Sequence, residues 1–312
     1  MSFAAVFPGQ GSQVVGMLAE LVPQYPLIGQ TFAEASEVLH YDLWELTQTG
    51  PSERLNATER TQPALLAAGV ALWRVWQAGN GPTPAYLAGH SLGEYTALVC
   101  AGALDFKAAV GLVEFRGRAM QQAAPAGAGA MAAILGLEDE AVRLACTEAA
   151  QDQVVQAVNF NSPGQVVIAG EKAAVERAIA VCTAKGAKRA VLLPVSVPSH
   201  CALMKPAAEQ LAARLADIPL RSPQIPVVHN VDVAAHREAD AIRRVLKEQL
   251  YSPVRWSESV QFLASRQISK LIEFGPGRVL TGLTKRINKS VEAYPVYDSQ
   301  TLQAALAAAG KS

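Results

Sequence analysis

Two short apolar runs each end in a glycine-containing loop that leads toward a helical pattern. The first is Phe3-Ala-Ala-Val-Phe7, stopped by Pro8 and followed by Gly9-Gln-Gly-Ser-Gln13. The second covers residues 84–88 and is followed by Gly89-His-Ser-Leu-Gly93 and a helical stretch over 94–103. Neither run alternates apolar with polar residues, so each reads as a strand covered on both faces. Strands of that kind need helices on both sides of their sheet, which commits the chain to an α/β architecture. The 312 residues are half hydrophobic and only 17% charged, as an interior-rich α/β protein requires. That length suits one large domain or two smaller ones.

Helical patterns also cover 62–78, with Pro63 at the first turn, and 106–122. Residues 123–130 are small and flexible, a candidate linker. Beyond them the periods run strand 131–135, helix 138–150, strand 154–159, a turn at Asn161-Ser-Pro-Gly164, strand 165–169, helix 171–185 and strand 189–195. That is β-α-β-β-α-β, the ferredoxin-like order. Residues 125–197 are therefore expected to form an inserted small domain within a discontinuous large one, 1–124 and 198–312. The large domain resumes with a helix at 207–216, a strand at Val227-Val228, helical segments at 237–250 and 260–263, and a strand at 270–274 that ends in Gly275-Pro-Gly277.

Lys plus Arg and Asp plus Glu each number 27, for a net charge of zero. Disorder and a strongly basic nucleic-acid binder are both excluded on that balance. Cys100, Cys146, Cys182 and Cys201 form no CxxC pair and have no histidine at zinc-finger spacing, so they read as reduced core residues. No metal or cofactor is expected. The first 16 residues lack a basic stretch ahead of their apolar run, and no window is apolar enough to span a bilayer. A soluble, cytoplasmic protein is expected. With no long amphipathic seam, a monomer is the default. A dinucleotide fingerprint is missed because Val14 stands where the third glycine belongs. Gly310-Lys311-Ser312 mimics the end of a phosphate-binding loop, but Ala305 replaces its first glycine.

Gly89-His-Ser-Leu-Gly93 fits G-x-S-x-G between a strand and a helix, the setting of a nucleophile elbow. Ser91 is the candidate nucleophile, and the Leu92 amide at the helix start can face a developing oxyanion. A serine needs a base. His40 and His236 lie in polar surroundings, and the side chain of His90 diverges from that of its neighbour Ser91. His200, in Val197-Pro-Ser-His-Cys201, re-enters the large domain after the insert and is the leading choice, with His229 as its rival. No carboxylate stands out to orient that base: Asp217, Asp232 and Glu273 are possible on position alone, and a backbone or amide oxygen is the alternative.

Five motifs then occur in a fixed order: Phe7-Pro-Gly-Gln-Gly-Ser-Gln13, Gly89-His-Ser-Leu-Gly-Glu-Tyr95, Phe115-Arg-Gly-Arg-Ala-Met120, Val197-Pro-Ser-His-Cys-Ala-Leu-Met204 and Glu273-Phe-Gly-Pro-Gly277. Together they resemble the malonyl-CoA:acyl carrier protein transacylases, over nearly the whole chain. The resemblance implies an α/β-hydrolase-like large domain with a ferredoxin-like small one. It implies Ser91 as nucleophile, His200 as general base, Arg116 as partner of the malonyl carboxylate, and backbone amides of Gln10 and Leu92 at the oxyanion. It further implies that the Gln249 carbonyl orients His200, although Lys247-Glu-Gln-Leu250 is a weaker local match. The implied partners are malonyl-CoA and an acidic acyl carrier protein, with no cofactor beyond the substrate's CoA and the carrier's phosphopantetheine. Lys185, Lys188 and Arg189, or Lys285, Arg286 and Lys289, are basic clusters suited to such a carrier. Ser199 lies where the related polyketide acyltransferases carry a selectivity motif. An esterase or thioesterase would share the elbow but have no use for Arg116, whose bland alternative is a solvated helix face beside Glu114 and Arg118.

Overall fold

The computed structural model describes residues 2–125, 127–195 and 197–310. Its strands are β1 Phe3–Phe7, β2 Tyr86–Gly89, β3 Gly129–Leu135, β4 Val155–Ser162, β5 Gln165–Glu171, β6 Arg189–Leu192, β7 Val227–Val228, β8 Lys270–Phe274 and β9 Glu292–Val296. One sheet has the order β7-β2-β1-β8-β9 and is parallel throughout. The other has the order β4-β5-β3-β6 and is antiparallel.

The unbroken apolar run of β1 is explained by its place at the centre of the parallel sheet. Phe3, Ala5 and Phe7 join the core under the helices Thr58–Ala78, Gly93–Cys100 and Phe106–Ala123. Ala4 and Val6 face the opposite core with Trp256, Val260 and Leu280. All five β1 residues are buried. β1 and β2 end side by side, Phe7 opposite Gly89, so the two glycine loops emerge together at one edge of the sheet. That edge, at the carboxyl ends of parallel strands, is where open α/β sheets build their sites.

The antiparallel sheet packs one face against the helices Asp139–Ala150 and Lys172–Ala184, through Ile134, Val166, Ile168, Val142 and Val175. Its other face sets Met131, Val158, Val167 and Ala169 around Cys201, the residue after His200. Strand β4 is also tied to the parallel-sheet part: the Phe160 amide donates to Val254 O at 3.0 Å and the Val254 amide to Val158 O at 2.8 Å. The insert thus lies directly over the segment that carries His200.

Several boundaries differ from those expected. The helix Thr58–Ala78 begins four residues before the anticipated start, so Pro63 sits inside it and not at its first turn. The polar Thr58-Glu-Arg-Thr61 lacks the apolar period that marks the rest. The loop after β1 does not feed directly into a helix; only a single 3-10 turn, Ala19–Leu21, precedes the helix Leu27–Leu39. Strand β4 continues to Ser162, which shrinks the hairpin turn to Pro163-Gly164, with Gly164 at φ +71. Strand β9 and the helices Val279–Ile287 and Ser299–Ala308 were not among the expected elements. In the linker stretch 123–130, residue 126 lies outside the described residues, as do Lys311 and Ser312 of the C-terminal mimic. No helix among the described residues is long and apolar enough to cross a membrane.

Candidate active site

Ser91 sits between β2 and the helix Gly93–Cys100 with φ +51, a left-handed conformation that a serine rarely adopts. The turn can be this tight only because of its glycines. A Cβ on Gly89 would stand 1.9 Å from Gly93 C, and one on Gly93 would stand 2.0 Å from Phe7 O. Neighbouring groups hold the strained residue from both ends. Its amide donates to Asn230 Oδ1 at 2.8 Å, and Asn230 Nδ2 donates to Gly89 O at 2.7 Å. Its carbonyl accepts from Gln249 Nε2 at 3.0 Å.

His200 Nε2 lies 2.8 Å from Ser91 Oγ, and His200 Nδ1 lies 2.7 Å from Gln249 O. A carbonyl can only accept, so Nδ1 carries the proton and Nε2 is left to accept the Ser91 hydroxyl. Gln249 is the C-cap of the helix Ala239–Glu248, where carbonyls lack intrahelical partners. The negative end of that helix also favours an imidazolium. None of the three carboxylates considered reaches His200. Asp217 caps the helix Lys205–Ala216, Asp232 pairs with His236 and Arg244, and Glu273 caps the helix Val279–Ile287. The rival base His229 is fully buried and bonded to Glu94 at 2.8 Å. His90 bonds Asn161 of β4 at 2.8 Å, and His40 is an exposed helix C-cap. Burial first, and the Arg116 charge second, push the His200 imidazole down to about 3, so it is neutral and ready to accept a proton.

Arg116 is only 1% exposed, which removes the solvated-face alternative. Glu114 pairs with Arg60 and Arg118 instead. The helix Phe106–Ala123 passes so close to the helix Thr58–Ala78 that a Cβ on Gly117 would stand 2.6 Å from Glu59 Cα. That approach brings Gln62 Oε1 to Arg116 Nη1 at 2.8 Å. Arg116 Nη2 donates to Gln249 Oε1 at 2.9 Å and reaches Ser91 Oγ at 3.3 Å. Tyr95 lies beneath the guanidinium, 5.3 Å to the ring centroid, and burial pushes its phenol up to about 12. Among the described residues no carboxylate pairs with Arg116, and its Nε has no partner. A buried cation in that state carries a charge that no neighbouring carboxylate compensates.

Gly9 packs against the elbow, where a Cβ would stand 2.5 Å from His90 O. Gln10 follows Gly9 directly, and its exposed side chain reaches Thr58 Oγ1 at 3.4 Å. Leu92 is buried at the foot of the helix Gly93–Cys100. Burial pushes the Cys201 thiol up to about 11 and the Cys100 thiol well above its ordinary value. Among the described residues no group of His, Cys, Asp and Glu has the makings of a metal site. Sequence reasoning missed Asn230 and Glu94. Glu94 was visible within Gly89-His-Ser-Leu-Gly-Glu-Tyr95, but only the fold shows that it bonds His229, the Asn230 amide and Gln249.

A family model described as an acyl transferase domain matches residues 5–303. The chain belongs to the acyl transferase family. The family member named malonyl CoA-acyl carrier protein transacylase from Escherichia coli (strain K12) is 62% identical over 304 residues, covering 97% of this chain and 98% of its own. The protein of that name from Bacillus subtilis (strain 168) is 45% identical over 304 residues, with coverages of 97% and 96%. Among solved structures, a malonyl-transacylase in complex with a type II PKS acyl-carrier protein has a TM-score of 0.98 at 61% identity, covering 99% of this chain and 100% of that one. The acyl carrier protein S-malonyltransferase of Vibrio cholerae O1 biovar eltor has a TM-score of 0.96 at 64% identity, with coverages of 98% and 100%. The expected fold, a parallel α/β sheet with a ferredoxin-like antiparallel one, agrees with both structures.

Proposed function

We propose that this acyl transferase moves the malonyl group from malonyl-CoA to the phosphopantetheine thiol of an acyl carrier protein, through a malonyl-Ser91 ester. The observation that carries the substrate assignment is Arg116, a buried guanidinium with no carboxylate partner among the described residues, 3.3 Å from the Ser91 hydroxyl. Its planar fork suits a carboxylate in a way that a lysine would not. A neutral acyl chain would leave that charge buried and unpaired. The reading also draws on the names and high identity of the relatives.

In the first half-reaction Ser91 Oγ attacks the thioester carbon while His200 Nε2 takes the hydroxyl proton. Backbone amides of Gln10 and Leu92 receive the oxyanion; losing one such donor typically costs about 2.7–4 kcal/mol. The C–S bond breaks and the CoA thiolate leaves with the proton from His200. In the second half-reaction the carrier thiol gives its proton to His200, its sulfur attacks the ester carbon, and Ser91 leaves reprotonated. A malonyl carboxylate on Arg116 offsets the charge that helps hold His200 low, so the base strengthens when substrate is bound.

The catalytic part is read as 1–124 with 198–312 and the small domain as 125–197; the small domain has its own core between its sheet and two helices, while Val197 already packs in the core of the catalytic part. For the carrier the two basic clusters are Lys285, Arg286 and Lys289, and Lys185, Lys188 and Arg189. Lys285 and Lys289 in the first, and Lys188 and Arg189 in the second, are exposed with no acidic partner among the described residues, while Lys185 pairs with Glu148 at 3.0 Å. Ser199 hydrogen-bonds the Val197 carbonyl through its amide at 2.9 Å, next to His200. The reading places the enzyme in the cytoplasm. The test is malonyl-CoA turnover with and without holo carrier protein. Transfer should far outpace release of free malonate; hydrolysis as fast as transfer would instead mark a thioesterase.

A further inference from the structure

Behind Ser91 two charged groups are buried side by side without touching. Glu94 is fully buried and Arg116 is 1% exposed. The side chain of Gln249, itself fully buried, stands between them. Its Oε1 accepts from Arg116 Nη2 at 2.9 Å, and its Nε2 donates to Glu94 Oε2 at 3.0 Å and to Ser91 O at 3.0 Å. The amide orientation is unambiguous, because the guanidinium can only donate and the other two groups can only accept.

We propose that the Gln249 side chain is a positioning residue for substrate selection: it keeps Glu94 and Arg116 from closing into an ion pair and holds Arg116 aimed and available for an acyl carboxylate. This rests on the reading of Arg116 as the carboxylate receptor. It is separate from the work of the Gln249 carbonyl, which belongs to the backbone and survives any side-chain substitution.

The chemistry of the position explains why an amide fills it. Glu94 already accepts from His229 Nδ1 at 2.8 Å and from the Asn230 amide at 2.9 Å, so it is anchored as a fixed countercharge. A direct pair with Arg116 would satisfy the cation and make every incoming substrate compete with an internal carboxylate. With no countercharge nearby, the buried guanidinium would be costly to keep. A planar amide passes partial compensation through two hydrogen bonds while leaving the full charge unneutralised. Arg116 uses three of its five donors on Gln62, Gln249 and Ser91, all uncharged acceptors, so no hydrogen bond neutralises its charge. Gln249 thereby ties the recognising cation, the nucleophile's carbonyl and the countercharge into one frame. A shift at any of them is felt at the others.

The test compares Ser91 acylation by malonyl-CoA and acetyl-CoA in Gln249→Met, Gln249→Glu, Arg116→Ala and the double variant Glu94→Gln/Gln249→Met. In Gln249→Met the ratio of kcat/KM for malonyl over acetyl should fall about 10- to 100-fold, the value of a hydrogen bond to a charged group, with KM for malonyl-CoA moving more than kcat. Gln249→Glu, nearly isosteric, should fall at least as far because it neutralises Arg116 directly, and it carries the test if Gln249→Met does not fold. Removing the competing charge in the double variant should recover part of the lost ratio, which a merely structural role would not do. If Arg116→Ala loses the malonyl preference while both Gln249 variants keep it, the inference is overturned and the substrate reading stands. If Arg116→Ala keeps the preference, the substrate reading itself fails.

Discussion

Burial and the neighbouring Arg116 hold the His200 imidazole at about 3, far below its ordinary 6.5. The base form is the unprotonated one, so it persists at every pH above that value. For the free enzyme, kcat/KM with malonyl-CoA should therefore show no ascending limb near pH 6.5. In Arg116→Ala, which removes the second cause of the depression, the limb should move up toward neutrality. A wild-type limb centred near 6.5 would contradict this environment for His200. The same low value links to folding: between about pH 3 and 6.5 the unfolded chain binds the proton that the folded site refuses, so stability falls as pH drops through that window. In His200→Gln, thermal unfolding should show a shallower acid slope than wild type. At this scale the sequence was legible where a residue's setting is local, as with the strand–turn–helix elbow around Ser91. It was not legible where partners come from afar: His200 and its carbonyl Gln249 are 49 positions apart, and Glu94 and Asn230 are 136 apart.

At the scale of elements, the elbow is fixed by contact between backbones. Because a Cβ at Gly93 would stand 2.0 Å from Phe7 O, Gly93→Ala must push the helix Gly93–Cys100 off the end of β1. It should cost about 3 kcal/mol or more in a denaturant titration, at the upper end of overpacking changes; a loss under about 1 kcal/mol would show that the turn relaxes freely. The helix Val279–Ile287 illustrates an element hidden from the sequence. Its N-cap Arg278 offers no side-chain cap. The capping group is Glu273 at the end of β8, which accepts from the amides of Leu280 at 2.9 Å and Thr281 at 2.7 Å. Only the tertiary return of the chain supplies it. Glu273→Ala strands those buried donors and should cost about 1–3 kcal/mol, read from the same titration. The β-α-β-β-α-β order of the insert was legible because each of its elements carries its own period and its hairpin is marked by Pro163-Gly164.

At the scale of the whole molecule, a net charge of zero still includes local basic clusters such as Lys285, Arg286 and Lys289. Reversing Lys285 and Lys289 to Glu should raise KM for the carrier protein while leaving KM for malonyl-CoA unchanged, and the wild-type KM for the carrier should rise with salt. Equal effects on both substrates would remove that face from the docking surface. The parallel sheet carries Ser91, and the antiparallel sheet packs around Cys201 beside His200, so both parts of the fold meet at the Ser91–His200 pair. The most direct measurement is the intact mass of the protein after brief incubation with malonyl-CoA and no carrier. Wild type should gain a single malonyl group that is lost on adding holo carrier protein, and Ser91→Ala should gain none. An unmodified wild type, or an adduct that persists in Ser91→Ala, would contradict the malonyl-Ser91 intermediate.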